Sequence, residues 1–278
     1  MVLLNGKELR KIKLKELKEK VETLNELIGL AVVQVGNDEA SNVYIGQKEK
    51  LANSLGYYFV HKNFDENITN EELLNEIDKL NKNDQIDGII VQMPLPKQID
   101  SINAVNRIDK NKDVDGLGFI NAGKLMHGKE SLVSCTPKGI IDLLDYYDIP
   151  IEGKHVVIVG RSILVGKPLS NLFTNRNATV TLCHSKTIDL QKYTKEADIL
   201  VAAVGKKHFI TENMVKEGAV VIDVGINRED NKLYGDVDFD NVSQKASFIT
   251  PVPGGIGPMT VYELMDNTYK AHMLRKKS

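Results

Sequence analysis

Two spacings of apolar residues alternate along this chain. Short apolar runs at 29–35, 57–61, 87–92, 155–159, 178–183, 198–202 and 219–223 have the length and β-branched content of buried strands. Between them apolar positions recur every three or four residues, as in Leu9, Ile12, Leu14 and Leu17, and again in Leu73, Leu74, Ile77 and Leu80. That is the period of a helix with one buried face. Ser41 is placed to cap a helix running to about Leu55, and Thr69 with Glu72 has capping-box spacing. Thr136-Pro137 opens another helix, with proline where its missing N–H costs nothing. Further helices are predicted from about 166, near 188–196, and from Met259 onward. Strand and helix in regular turn predict an α/β fold whose parallel sheets are covered on both faces.

The alternation breaks once. From Asp109 to Ser134 no period persists, and glycines stand at 116, 118, 123 and 128, the composition of a connecting region. This predicts two α/β domains, 1–117 and 118–258, with the last helix, 259–278, packing back on the first. The second domain alternates most regularly and reads as a Rossmann-type parallel sheet. The proline and glycine run at 251–258 is predicted to be irregular backbone, a hinge or a close approach to a ligand.

Composition narrows the function classes. With 36 basic and 38 acidic residues the net charge is −2, which gives no general attraction to nucleic acid or to an anionic membrane. The basic stretch at 7–20 carries leucines at helical spacing and reads as a solvated helix face. No apolar stretch approaches the roughly 20 residues that span a bilayer. The N-terminus is also too charged for a signal peptide, so a cytoplasmic protein is expected. Cys135 and Cys183 are far apart and the six histidines lack ligand spacing, so no metal site is expected.

Candidate chemistry begins at the end of the 155–159 run. There Gly160-Arg161-Ser162 leads through a short loop to Gly166-Lys167-Pro168 and a helical spacing. In a strand–turn–helix unit the first N–H groups of the helix point outward and can hold a phosphate. The pattern is G-x-S-x-x-x-G rather than G-x-G-x-x-G, and a plain βα turn reads the same locally. The regular alternation after it is what favours a dinucleotide site. The next strand runs into His184-Ser185-Lys186-Thr187 without the carboxylate that would bind the ribose hydroxyls of NAD. Hydroxyl and basic groups suit a 2′-phosphate, which predicts NADP, with Arg161 and Ser185 as its contacts.

In the first half, Tyr44 and Lys48 are four residues apart on a predicted helix and so share a face. Taken alone, such a pair is usually surface decoration. Gln92 stands at the carboxyl end of a strand, where open α/β sheets place ligands, and Asp115 follows in Lys112-Asp113-Val114-Asp115-Gly116.

Several segments together resemble one family. They are 44–48 (Tyr-Ile-Gly-Gln-Lys), 91–96 (Val-Gln-Met-Pro-Leu-Pro), 112–116, Cys135-Thr136-Pro137, 159–162 with 165–168, and 183–185. To these add 222–228 (Ile-Asp-Val-Gly-Ile-Asn-Arg), 235–238 (Gly-Asp-Val-Asp) and 250–260 (Thr-Pro-Val-Pro-Gly-Gly-Ile-Gly-Pro-Met-Thr). In this order they are similar to bifunctional methylenetetrahydrofolate dehydrogenase/methenyltetrahydrofolate cyclohydrolases. Glu39, Leu117-Gly118-Phe119 and Ser134 depart from the family's usual residues at those places.

The resemblance implies an active-site cleft between the two domains and two consecutive reactions. NADP-dependent oxidation of methylenetetrahydrofolate is followed by hydrolysis to 10-formyltetrahydrofolate. It implies Lys48 as the catalytic lysine, Gln92 orienting it, Tyr44 stacking on the aminobenzoyl ring, and Asp115 accepting hydrogen bonds from the pterin. A base near pH 7 requires the lysine pKa to fall about three units from its usual value near 10.4. A neutral glutamine beside it permits that and a carboxylate opposes it. Asp113 is expected to be a loop acid. Gly160, Arg161, Ser162, Ser185 and Ile226 would line the cofactor. Thr136 would approach its nicotinamide side, and Pro253, Gly254 and Gly255 would meet the substrate there. A homodimer in one-carbon metabolism, serving purine, methionine and histidine synthesis, is implied as well. A single-activity member and a shikimate-type NADP dehydrogenase are the alternatives, and a non-catalytic binding module has no use for Lys48.

Overall fold

The computed structural model describes residues 1–129, 131–230 and 232–276; the last two positions of the helix expected over 259–278 lie outside the described residues. In chain order the first elements are β1 (Val2–Leu3), α1 (Gly6–Leu24), β2 (Gly29–Val35), α2 (Glu39–Ser54), β3 (Tyr58–Phe64), α3 (Asn70–Lys82), β4 (Gly88–Val91), α4 (Ser101–Arg107), α5 (Phe119–Met126) and α6 (Cys135–Tyr146). Then come β5 (His155–Val159), α7 (Gly166–Asn175), β6 (Thr179–Cys183), α8 (Leu190–Thr194), β7 (Ile199–Ala202), β8 (Val220–Asp223), β9 (Asn227–Glu229), β10 (Lys232–Tyr234), α9 (Phe239–Val242), β11 (Phe248–Ile249) and α10 (Ile256–Arg275).

The chain divides into two compact units, Lys13–Cys135 with Val261–Ser278, and Met1–Ile12 with Thr136–Thr260. The first holds a three-stranded parallel sheet, β3-β2-β4. All seven residues of β2 are buried, as a continuous apolar run at a sheet centre requires, whereas β3 is largely exposed and forms an edge. Ala31, Val33, Ile89 and Val91 pack on Leu73, Ile77 and Leu80 of α3. Thr69 and Glu72 form the capping box at the start of that helix.

The division differs from a boundary at 117/118. Residues 109–129 and 131–134 are not a loose connection. Asn267 of α10 donates to the carbonyls of Val114 and Val133 at 2.9 and 2.8 Å, which ties this stretch to the three-stranded unit. Helix α5 lies within it, too short to carry a clear period. The N-terminus differs as well: β1 pairs with β11 in the other unit's sheet, through Val2 N–H to Ser247 O and Leu4 N–H to Ile249 O. A two-residue strand leaves no periodic trace.

The second unit is a six-stranded parallel sheet, β1-β11-β8-β7-β5-β6. Strands β5, β7 and β8 supply Val157, Val159, Leu200, Ala202 and Val221 to its core. The chain leaves β5 toward β6 on one side and returns to β7 on the other. The reversal point is therefore at the carboxyl ends of β5 and β7, where doubly wound sheets bind ligands. The run at 251–258 is irregular only to Gly255, because α10 begins at Ile256 and holds Pro258 in its first turn.

Candidate active site

Helix α2 begins one turn earlier than Ser41 suggests. Asp38 is the cap, accepting from the Ser41 N–H at 2.7 Å, and the Ser41 hydroxyl donates instead to Met93 O at 3.3 Å. On α2, Tyr44 is 42 % exposed and so accessible to a ligand. Lys48, one turn on, is half-buried and donates from Nζ to Gln92 Oε1 at 2.8 Å. Gln92 is held at both ends. Its backbone N–H extends the β2–β4 ladder to Val33 O, and its Nε2 donates to Met93 O, each at 2.8 Å. With the amide nitrogen committed, its oxygen is the atom left to face the lysine.

Asp115 is brought to the same place by the segment after β4. Burial pulls the Lys48 ammonium below the ordinary lysine range, and the neighbouring Asp115 and Cys135 oppose it. Burial pushes the Asp115 carboxyl up, while Lys48 and a hydrogen bond from Cys135 pull it back. Both groups are displaced toward their uncharged forms, as two groups of opposite charge are when the surroundings resist charge of either sign.

The rest of this segment is scaffolding. Lys112 Nζ donates to the carbonyls of Leu80, Asn81 and Asn83 at 3.2, 2.8 and 2.8 Å, closing the C-terminus of α3. Asp113 accepts from Gly118 N–H and Asn121 Nδ2, both at 2.9 Å, and is the loop acid expected of it. Cys135 and Asn267 escape a reading by residue pattern. Asn267 approaches the Cys135 sulfur at 3.8 Å as well as the Val114 carbonyl next to Asp115. No signal in the sequence singles Asn267 out, because α10 carries other polar residues around it, Glu263, Asp266, Thr268 and Lys270 among them.

In the six-stranded unit, β5 ends at Gly160, with φ of 129°. A Cβ there would lie 2.1 Å from Ala203 O, and one on Gly166 would lie 1.9 Å from Gly160 O. The turn is therefore closed against two backbones at once. Arg161, Ser162 and Ile163 are left exposed at the start of α7, with Ser162 Oγ accepting from Val165 N–H at 3.1 Å. Beyond β6, Ser185 is exposed on a turn fixed by His184 N–H to Thr187 Oγ1 at 2.8 Å. Ile226 follows β8 and is 48 % exposed. A glycine-lined turn at the reversal point, a helix N-terminus and an acid-free turn after β6 fit a phosphorylated dinucleotide.

The other candidates in this unit lie around the start of α10. Thr136 Oγ1 and Thr260 Oγ1 are hydrogen-bonded at 3.0 Å. Gly254 has φ of 116°, and Gly255 N–H donates to Pro251 O at 2.8 Å, so 251–255 closes on itself beside Pro253. A Cβ on Gly6 would meet Gly255 O at 1.9 Å, which packs the start of α1 against this turn. Among the described residues no group of three or more histidine, cysteine or acidic side chains could hold a metal ion, and no helix is long and apolar enough to cross a membrane.

A doubly wound sheet with this turn, joined in one chain to a unit carrying a half-buried lysine, defines a dinucleotide-dependent α/β protein. The family model described as tetrahydrofolate dehydrogenase/cyclohydrolase, catalytic domain, matches residues 4–115, and the NAD(P)-binding domain of the same family matches 134–276. The chain belongs to the tetrahydrofolate dehydrogenase/cyclohydrolase family. It is 52 % identical over 273 residues to the bifunctional protein FolD of Halalkalibacterium halodurans, covering 97 % of this chain and 98 % of that one. The crystal structure of bifunctional FolD from Campylobacter jejuni superposes with a TM-score of 0.97 at 45 % identity, covering 99 % of each chain. FolD from Trypanosoma brucei, solved with NADP cofactor and an inhibitor, gives 0.95 at 34 % identity over 100 % of this chain and 99 % of that one.

Proposed function

We propose that this protein oxidises methylenetetrahydrofolate to methenyltetrahydrofolate with NADP and then hydrolyses the product to 10-formyltetrahydrofolate. The observation that carries the proposal is the half-buried Lys48 amine, its pKa lowered by burial, held at 2.8 Å by a neutral glutamine oxygen. Full-length membership of a bifunctional family supports both steps and disfavours a shikimate-type dehydrogenase.

When bound, NADP would supply the acceptor for a hydride from the one-carbon bridge. The chain's own part in that step is orientation, since the folate nitrogens themselves stabilise the cation that forms. Gly160, Arg161, Ser162, Ser185 and Ile226 would hold the dinucleotide, with Arg161 and Ser185 serving its 2′-phosphate and Thr136 its nicotinamide side. Tyr44 stacks on the aminobenzoyl ring, Asp115 accepts from the pterin N–H groups, and Pro253, Gly254 and Gly255 border the substrate.

Hydrolysis needs proton transfer. Water adds through its oxygen to the methenyl carbon, and Lys48 in its amine form takes a proton from it. The remaining hydroxyl gives up its proton and becomes the formyl carbonyl as the bond from carbon to the pterin nitrogen breaks, and that nitrogen takes up a proton in its place, so that the proton on Lys48 is the net one released. Gln92 orients the amine and adds no charge, which keeps the base available. On the same reading the protein is a cytoplasmic homodimer that feeds purine, methionine and histidine synthesis.

The test supplies purified protein with methylenetetrahydrofolate and either NADP or NAD, and follows methenyl absorbance. A rise and subsequent decay with NADP is expected. A rise without decay leaves a dehydrogenase alone, and no rise with either cofactor removes the proposal.

A further inference from the structure

Two carboxylates with no part in the proposed reaction are buried in the six-stranded unit, Asp223 at 3 % exposure and Asp236 at 0 %. Asp236 Oδ2 accepts from Val204 N–H at 2.6 Å and Gly205 N–H at 2.9 Å, and its Oδ1 accepts from Lys206 N–H at 2.8 Å and Asn227 Nδ2 at 3.0 Å. Asp223 Oδ1 accepts from the N–H groups of Gly225 and Asp236, and Oδ2 from that of Val237, each at 2.9 Å. The Asp223 backbone N–H donates to Thr250 Oγ1 at 2.7 Å.

The two acids are packed reciprocally. A Cβ on Gly225 would lie 2.2 Å from Asp236 Oδ1, and one on Gly235 would lie 1.8 Å from Asp223 Oδ2. Each carboxylate fills the space a side chain would need near the other. Burial, with Asp236 beside it, pushes the Asp223 carboxyl up to about 6. Two neighbouring buried acids are costly, and for tethering a fold an apolar contact serves as well. What these acids hold is specific: their backbone donors lie in loops and not in the strand ladder. Residues 204–206 follow β7, Gly225 follows β8 and Asn227 opens β9, at the carboxyl edge where the sheet binds ligands, and Asp236 and Val237 follow β10. Ile226 is clamped between two tethered neighbours, Gly225 and Asn227.

We infer that Asp223 and Asp236 are positioning residues for the dinucleotide, fixing the loops after β7 and β8 at the carboxyl edge in the conformation that receives it. The inference rests on the proposed NADP site. An asparagine at either position keeps the size but turns an amide nitrogen toward backbone N–H donors, so the loops must shift.

The test measures NADPH affinity by fluorescence titration of Asp236→Asn and Asp223→Asn, together with the KM for NADP and kcat. At least a tenfold weaker Kd is expected, with KM rising in parallel and kcat at saturating NADP falling less than threefold. A Kd within twofold of wild type in the folded variants overturns the inference, and so does a lowered melting temperature with Kd and KM unchanged, which is a purely structural role. If an aspartate variant does not fold, Asn227→Ala removes one donor to Asp236; at least a threefold weaker Kd is expected, and an unchanged one overturns the inference. Wild-type protein that binds no NADPH rejects the proposed cofactor instead, which separates the two failures.

Discussion

The lysine site of the three-stranded unit and the glycine turn of the six-stranded unit are built by opposite means. Lys48, Gln92 and Asp115 come from three separated stretches of chain, and each is useful only through what it meets: a 2.8 Å bond between Lys48 and Gln92, and mutual charge between Lys48 and Asp115. The turn at Gly160 and Gly166 is local, and its essential feature is the absence of side chains, since a Cβ on Gly166 would lie 1.9 Å from Gly160 O. One site is made of side-chain chemistry tuned by burial, the other of backbone shape. Substitutions should therefore fail differently in the two, through proton transfer in the first and through binding and stability in the second.

The largest effect is expected where chemistry is concentrated in one atom. Lys48→Met removes the base, and methenyl hydrolysis should fall about 10³-fold, within the usual range for a lost general base. NADPH affinity should change less than twofold. Absorbance decay of methenyltetrahydrofolate measures the first and fluorescence titration the second; hydrolysis within tenfold of wild type means that another group takes the proton. Gly166→Ala should do the reverse. Its methyl group meets a backbone oxygen that has no rotamer to yield, so a stability loss of about 2–3 kcal/mol is expected, with NADPH binding at least tenfold weaker. Thermal denaturation and the same titration check it, and an unaltered melting temperature would show that the turn opens without cost.

The same contrast governs how much was legible in the sequence. The turn could be read because strand, glycine and helix follow each other within a few residues, and its geometry is as local as its pattern. The strands at 155–159 and 29–35 were equally plain, since burial on both faces leaves the apolar runs Val156–Val159 and Leu30–Val33. The Tyr44 and Lys48 spacing, by contrast, is unremarkable in itself. What gives it meaning is Gln92 arriving from β4, a contact 44 residues away in sequence that no periodicity encodes. Resemblance to a family supplied that link. Elements whose partners lie far along the chain stayed hidden for the same reason. Strand β1 is visible only through its pairing with β11, and Asn267 reads as one more helical residue until Val114, Val133 and Cys135 surround it.

A more selective perturbation leaves Lys48 in place and changes only the charge of its partner. Gln92→Glu sets a carboxylate where the amide oxygen lies 2.8 Å from Nζ. The ammonium form is then favoured and the lysine pKa rises, opposing the lowering that burial provides. Because the base must be unprotonated, the alkaline-rising limb of cyclohydrolase activity should move up by about one pH unit, and turnover at pH 7 should fall about tenfold. Above the shifted pKa, activity should approach that of wild type. A pH–rate profile of the two proteins decides it, and an unmoved limb detaches Gln92 from the tuning of Lys48.

The smallest effect belongs to a glycine that the lysine site does not need. Gly46 lies in α2 between Tyr44 and Lys48, yet a Cβ there would meet nothing within 4 Å. Its backbone is helical, so alanine fits without strain and narrows the unfolded ensemble. Gly46→Ala should stabilise the protein by about 0.5–1 kcal/mol, where Gly166→Ala costs several times that. Urea denaturation of the two variants side by side measures the gap. Equal losses would mean that α2 needs flexibility at this point, and that the lysine site, like the dinucleotide turn, depends on backbone shape.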